Sequence, residues 1–235
     1  MRRSLAGWLL LTLAFITACG TGGAVEPSSV AALRVYNASP DSPPVDIFLR
    51  GGQVTQSLAY GFGRLYVLVN AGPGTIEVQN TNTADVLLDY DANLAQATPY
   101  TFAITGFTNS LQPVFLADDT TAAPHNNFKV RLIHLAPLGP PMDLYITDAA
   151  GDLTTATPVM TAIAYTKAST YVTAPIGNKR LQLTEAGTKT VLRDVGTFTF
   201  TSGQGVTLFL IGAAGTTGGG APYSSQLVAD HAGTS

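Results

Sequence analysis

One segment of this chain is written twice. Leu33-Arg-Val-Tyr-Asn-Ala-Ser-Pro-Asp-Ser-Pro-Pro-Val-Asp-Ile-Phe-Leu49 returns, 97 positions later, as Val130-Arg-Leu-Ile-His-Leu-Ala-Pro-Leu-Gly-Pro-Pro-Met-Asp-Leu-Tyr-Ile146. Five positions are identical: Arg34/Arg131, Pro40/Pro137, Pro43/Pro140, Pro44/Pro141 and Asp46/Asp143. Most other pairs exchange one apolar residue for another. A strand-like run, a proline-stiffened loop and a second strand-like run make a β-corner. A corner that occurs twice predicts two copies of one module.

The repetition continues past the corner. Ala59-Tyr60 returns as Ala164-Tyr165, Tyr66-Val67 as Tyr171-Val172 and Gly72 as Gly177, now offset by 105. Leu87 and Asp89 return as Leu192 and Asp194, Thr101 and Gly106 as Thr207 and Gly212, and Ala117-Asp118 as Ala229-Asp230. The growing offset places loop insertions at 147–163 and 213–227, between strands, where extra length costs little. Within each copy, short alternating runs are separated by turn signals such as Gly51-Gly52, Ala71-Gly72-Pro73-Gly74 and Asn80-Thr-Asn-Thr83, the pattern of a sandwich or barrel. Ala92–Ala97 is the one stretch with room for a helical turn. The expected organisation is a first domain over 30–121, a linker over 122–126 and a second domain over 127–231. The shortness of the linker suggests domains placed end to end.

Composition agrees with an all-β chain. Apolar residues make up 46% and charged residues only 11%, against roughly 25% charged in ordinary soluble domains. The polar surface must therefore come from Thr, Ser, Asn and Gln. No basic stripe exists to hold nucleic acid. Residues 30–124 carry three basic and eight acidic side chains, whereas 125–235 carry seven and six.

The first residues read as an address. Arg2 and Arg3 precede the apolar run Leu5–Ile16, too short to span a bilayer as a mature helix. Ile16-Thr17-Ala18-Cys19 resembles a bacterial lipobox, which implies cleavage after Ala18 and a diacylglycerol on the Cys19 thiol. The competing reading is an ordinary secretory signal with an incidental cysteine. Cys19 is the chain's single cysteine, so no intrachain disulfide forms. Residues 1–18 are thus expected to be a lipoprotein signal peptide and 19–29 a tether, a Gly-rich coil about 15–20 Å from end to end. The absence of Asp after Cys19 resembles the pattern of export to an outer membrane or cell surface rather than inner-membrane retention.

The corner, the Tyr-Val strand, the glycine turn and Tyr100-Thr-Phe-Ala-Ile-Thr-Gly106 resemble the bacterial envelope domain of unknown function 4397. The most specific motif is Asn37-Ala-Ser-Pro-Asp-Ser-Pro-Pro-Val-Asp46; the second copy departs from it at His134-Leu135-Ala136 and Leu138-Gly139. The resemblance covers both halves. It implies β-sandwiches on secreted or anchored proteins and supplies no catalytic residues. The expected fold is all-β: two tandem immunoglobulin-like antiparallel β-sandwich domains after a signal peptide and tether.

Three repeated carboxylate pairs are candidate ligand or structural residues: Asp46/Asp143, Asp89/Asp194 and Asp118/Asp230. Clustered, they would suit calcium, but the spacing lacks a calcium-loop pattern. Standing alone, Asp46 and Asp143 would accept loop N–H groups. Arg34/Arg131 are expected to pair with Asp46/Asp143, since both repeat at one separation. Tyr60/Tyr165 and Tyr66/Tyr171 fit either a sugar-stacking surface or strand packing. His134 stands opposite Asn37, which argues against a shared role. No nucleophile elbow, zinc, redox or phosphate-loop motif is present, so no catalytic residue, metal or cofactor is assigned. The expectation is a lipid-anchored envelope protein displaying non-catalytic domains for binding, adhesion or scaffolding, with the membrane, an envelope protein or a glycan as partner. An envelope-polymer hydrolase with an unmarked carboxylate site, and a carrier of a small apolar ligand, are the alternatives. Convergence of Asp46, Asp89 and Asp118 would favour a metal or catalysis; dispersal would favour the scaffold.

Overall fold

The alternation in the corner becomes two strands in two different sheets. β1 (Val30–Asn37) and β2 (Val45–Leu49) are joined by the proline loop, and the chain changes layer between them. The structure, a computed structural model, describes residues 29–213 and 223–233; Cys19 and most of the second insertion lie outside them.

The first half continues with β3 (Gly52–Leu58), β4 (Val67–Asn70), β5 (Gly72–Asn80), β6 (Val86–Leu94), β7 (Pro99–Thr105) and β8 (Gln112–Ala117). The second contains β9 (Asn127–Leu135), β10 (Met142–Asp148), β11 (Met160–Ile163), β12 (Val172–Pro175), β13 (Gly177–Glu185), β14 (Val191–Phe200), β15 (Gly205–Ile211) and β16 (Ser224–His231). Four four-stranded sheets result, ordered β3-β2-β5-β6 and β4-β1-β7-β8, then β11-β10-β13-β14 and β12-β9-β15-β16. The strand order of the first half is thus repeated in the second. Each half is a sandwich-like domain. All pairings are antiparallel except β1 with β7 and β9 with β15.

Local chemistry sets the turns. Arg50 and Gly51, at φ 53° and 76°, turn β2 into β3 in the left-handed geometry that suits a two-residue hairpin. Gly72 and Gly177, at φ 104° and 112°, stand where the chain leaves an inner sheet for an outer one, a conformation closed to other residues. The expected turn at 71–74 is therefore a change of layer inside a nearly continuous strand. The stretch with room for a helical turn also remains strand as far as Leu94, because Ala92 and Leu94 are needed in the core.

Each sandwich has its own core. Leu33, Val35, Ile47, Ile76, Phe102 and Ile104 fill the first; Phe128, Leu132, Leu144, Leu183, Leu208 and Leu210 fill the second. The two domains do not sit end to end. Their inner sheets meet through Tyr36, Ala38, Ala103 and Val114 of one half and Ile133, Leu135, Phe209 and Ile211 of the other. The Tyr36 and Phe209 rings stack 4.3 Å apart across this seam. Inner strands are therefore buried on both faces. The short linker permits this arrangement, and burial of a second apolar face favours it.

Candidate functional site

In β1, Leu33 and Val35 point into their own core, so period-two alternation turns Arg34 and Tyr36 toward the seam. The same logic turns Arg131 toward the seam from β9, Thr101 from β7 and Thr207 from β15. Asp118 follows β8 directly, and Asp230 lies near the end of β16. The arginines are 2% and 3% exposed, and both carboxylates are fully buried.

The cluster is built across the seam. Arg34 Nη1 lies 2.8 Å from Asp230 Oδ1, and its Nη2 lies 3.6 Å from Asp118 Oδ2. The 2.8 Å contact is an ion pair without hydrogen-bond alignment, since neither atom has an aligned partner. Arg131 Nη2 donates to Asp118 Oδ1. Arg34 Nε and Nη2 donate to Thr101 Oγ1 at 3.1 and 2.8 Å, while Arg131 Nε donates to Thr207 Oγ1 at 2.9 Å. The Thr101 hydroxyl in turn donates a hydrogen bond to Asp118 at 2.6 Å, and the Thr207 hydroxyl donates one to Asp230 at 2.7 Å. Tyr66 donates to Asp118 at 2.5 Å and Tyr171 to Asp230 at 2.9 Å. Each guanidinium also lies over a tyrosine ring, Arg34 on Tyr66 at 4.8 Å and Arg131 on Tyr171 at 5.0 Å.

Two cations face two anions, and the arrangement is nearly twofold symmetric. Burial pushes both Tyr66 and Tyr171 well above the ordinary phenol range, so each remains a donor at neutral pH. Burial disfavours the charge on Arg131, but Asp118, Tyr171 and Asp230 together outweigh it and raise the guanidinium further. Lone buried charges of this kind would cost several kcal/mol each; here each is matched.

Arg34 does not pair with Asp46, nor Arg131 with Asp143. The arginines occupy the inner sheets, and the aspartates occupy strands of the outer ones. Asp46 accepts from Ser57 N at 2.8 Å and Thr81 Oγ1 at 2.6 Å; Asp143 accepts from Ala162 N at 2.7 Å and Gly187 N at 2.9 Å. Ser57 and Ala162 have φ of 50° and 51° beside register shifts in β3 and β11. Each aspartate thus holds the same backbone irregularity. Asp89 is exposed on β6, and the exposed Asp194 pairs with Arg180 at 2.5 Å. The three repeated carboxylates of each half are dispersed, and no group of three metal-ligating side chains occurs among the described residues.

Tyr60 donates to Gly212 O across the seam, and Tyr165 donates to Thr105 Oγ1 at 3.5 Å in the reverse direction. Asn37 and His134 turn out to share a role. Asn37 Oδ1 accepts from Ser39 N at 3.0 Å, and His134 Nδ1 accepts from Ala136 N at 3.3 Å. Each fixes the start of its corner, and burial lowers the His134 pKa. Thr101 and Thr207 were not among the expected site residues, although their repetition was the signal that would have found them.

Residues 31–145 match the family model described as a domain of unknown function (DUF4397). The DUF4397 match takes in the first sandwich and ends within β10 of the second. No curated protein matches the chain. Among solved structures, CBMbc (family CBM26) from Eubacterium rectale Amy13K in complex with maltoheptaose aligns over 85% of this chain and 96% of that one. The identity is 9% and the TM-score 0.27, too low for any argument about ligand.

Proposed function

We propose that this is a lipid-anchored envelope protein whose two sandwiches act as one rigid, non-catalytic body that displays a binding or scaffold surface. The observation that carries this reading is the seam. The repeated Arg, Thr, Tyr and Asp of each half are spent on one another and hold the halves together. A body with a fixed relation between its two outer sheets suits display better than turnover. The lipobox sequence supports attachment through Cys19, with residues 19–29 as a short stalk.

Attachment is tested by feeding cells a labelled fatty acid. The wild-type chain incorporates label and fractionates with membranes; Cys19→Ser incorporates none. Equal labelling refutes the anchor. Display is tested with residues 27–235 on a glycan array and in pull-downs from envelope extract. A reproducible partner that survives Asp46→Asn and Asp89→Asn supports a non-catalytic surface, whereas cleavage of an envelope polymer overturns it.

A further inference from the structure

The duplication supplies an internal control for the surface. Phe62, Leu65 and Leu68, between β3 and the end of β4, are 63%, 79% and 76% exposed. At the 105-residue offset the second copy places Lys167, Thr170 and Thr173, all exposed. The fold therefore accepts polar residues at these positions, and the apolar rim is peculiar to the first sandwich. Leu65 shares a shallow groove with Val67, and Leu68 shares another with Val67 and Val69, so exposed apolar side chains adjoin here, as they do at contact surfaces.

The charge around the rim is equally particular. Of the three basic residues between 30 and 124, Arg34 is buried in the seam. The other two, Arg50 and Arg64, are exposed and border this rim, sharing shallow grooves with Leu68 and Leu65. Among the described residues neither forms an ion pair. Arg50 donates instead to the Asn70, Gly72 and Pro73 carbonyls, and Arg64 to Thr55 Oγ1 and Gln56 O. Asp85, Asp89 and Asp91 lie in and beside β6, at the opposite edge of the outer sheet. An otherwise acidic domain thus collects its exposed positive charge around its exposed apolar side chains.

The chain enters the fold at the same edge. Ser29 O accepts from Ala71 N at 2.7 Å, just beyond β4, and only the tether separates Ser29 from Cys19. We infer that this rim rests in the headgroup region of the anionic bilayer to which Cys19 is attached, with Phe62, Leu65 and Leu68 inserted and Arg50 and Arg64 on lipid phosphates. Apolar side chains flanked by arginine suit that region. The inference rests on the anchored reading, so its test supplies the anchor chemically.

The chain from Cys19 onward contains every described residue, a single thiol and no tryptophan, since Trp8 precedes it. Its thiol is coupled to a maleimide lipid in vesicles of phosphatidylethanolamine and phosphatidylglycerol carrying brominated acyl chains. Phe62→Trp and Lys167→Trp then place one fluorophore at equivalent sites in the two copies. Both sites are exposed, and circular dichroism confirms that each variant is folded. Bromine is expected to quench the Phe62→Trp variant by about half and the Lys167→Trp variant hardly at all. Quenching of the Phe62→Trp variant should weaken in brominated vesicles of neutral phosphatidylcholine. Equal quenching of both variants overturns the proposal. So does a Phe62→Trp signal that responds to protein density but not to bromine, which would mark the rim as a contact between copies, or one that responds only to an added envelope protein. Because coupling replaces natural acylation, failure of the fatty-acid labelling leaves this result readable.

Discussion

Arg34 of the first sandwich lies closer to Asp230 of the second, at 2.8 Å, than to Asp118 of its own, at 3.6 Å. Asp118 in turn takes its direct arginine hydrogen bond from Arg131 across the seam. Each half thus supplies the direct counter-ion for the other half's arginine. Neither inner sheet is a finished surface alone.

Asp118→Asn should be severe. It turns one of the two acceptor oxygens into an NH2 donor, so either Arg131 or the Thr101 and Tyr66 hydroxyls lose their acceptor, and it leaves two buried guanidinium groups against one carboxylate. Breaking one member of a buried charged network costs about 3–5 kcal/mol. Urea unfolding should show that loss as a lower midpoint at unchanged slope. Asp89→Asn, on the exposed face of β6, should change stability by no more than about 0.5 kcal/mol. Similar costs for the two variants would mean that the seam charges are not what holds the halves.

His134 should make stability depend on pH near neutrality. Burial lowers its pKa from the ordinary 6.5, so the unfolded chain binds the proton first. Its contribution is whole above about pH 6.5 and is lost as pH falls through the folded value. His134→Asn installs the residue type found at Asn37, which performs the same corner role without titrating. Wild type should lose more stability than His134→Asn between about pH 7.5 and 5.5. Parallel curves would assign the loss to other groups.

Gly63 and Tyr36 should be coupled. A Cβ at Gly63 would lie 2.6 Å from Tyr36 Cδ2. The second copy has Ala168 opposite Ile133 at the same isolated bridge. Gly63→Ala alone should cost about 1–3 kcal/mol by overpacking. Gly63→Ala with Tyr36→Ile should cost less than the sum of the two single changes, by at least about 0.5 kcal/mol in a double-mutant cycle. Strict additivity would show that the backbone moves aside instead.

Ala162 should tolerate glycine better than most strand positions. It holds φ 51° with its N–H on Asp143, and a left-handed conformation costs a non-glycine residue about 1–2 kcal/mol. Glycine removes that strain at a smaller entropic cost. Thermal melting should place Ala162→Gly at or slightly above wild type. Asp143→Ala should fall about 1–3 kcal/mol below it, through the loss of two buried backbone bonds. A destabilised Ala162→Gly would mean that the bulge is not under strain.

The sandwich was legible because alternation, turn residues and the duplicated corner all require strands. The seam was not. On a strand with an apolar core face, Arg34 and Thr101 read as the solvent side, and nothing local in β1 or β7 says that another sheet covers them. The clue was non-local: Arg, Thr, Tyr and Asp all recur, at four different offsets. Pairing Arg34 with Asp46 followed from their constant spacing, but the proline corner moves them into different layers. The pairing of each arginine with the aspartate of the other half appears only once both halves are considered together.

A face that fits its own twin would also join two separate chains, but only at concentrations high enough for them to meet. Linking the twins by a few residues makes the encounter intramolecular and independent of dilution. Fusion also releases each side from matching itself. Large rings gather on one side of the axis, where Tyr36 meets Phe209, and small side chains on the other, where Ile133 and Ala103 stand. Such lopsided packing is open to a fused pair and closed to a true homodimer.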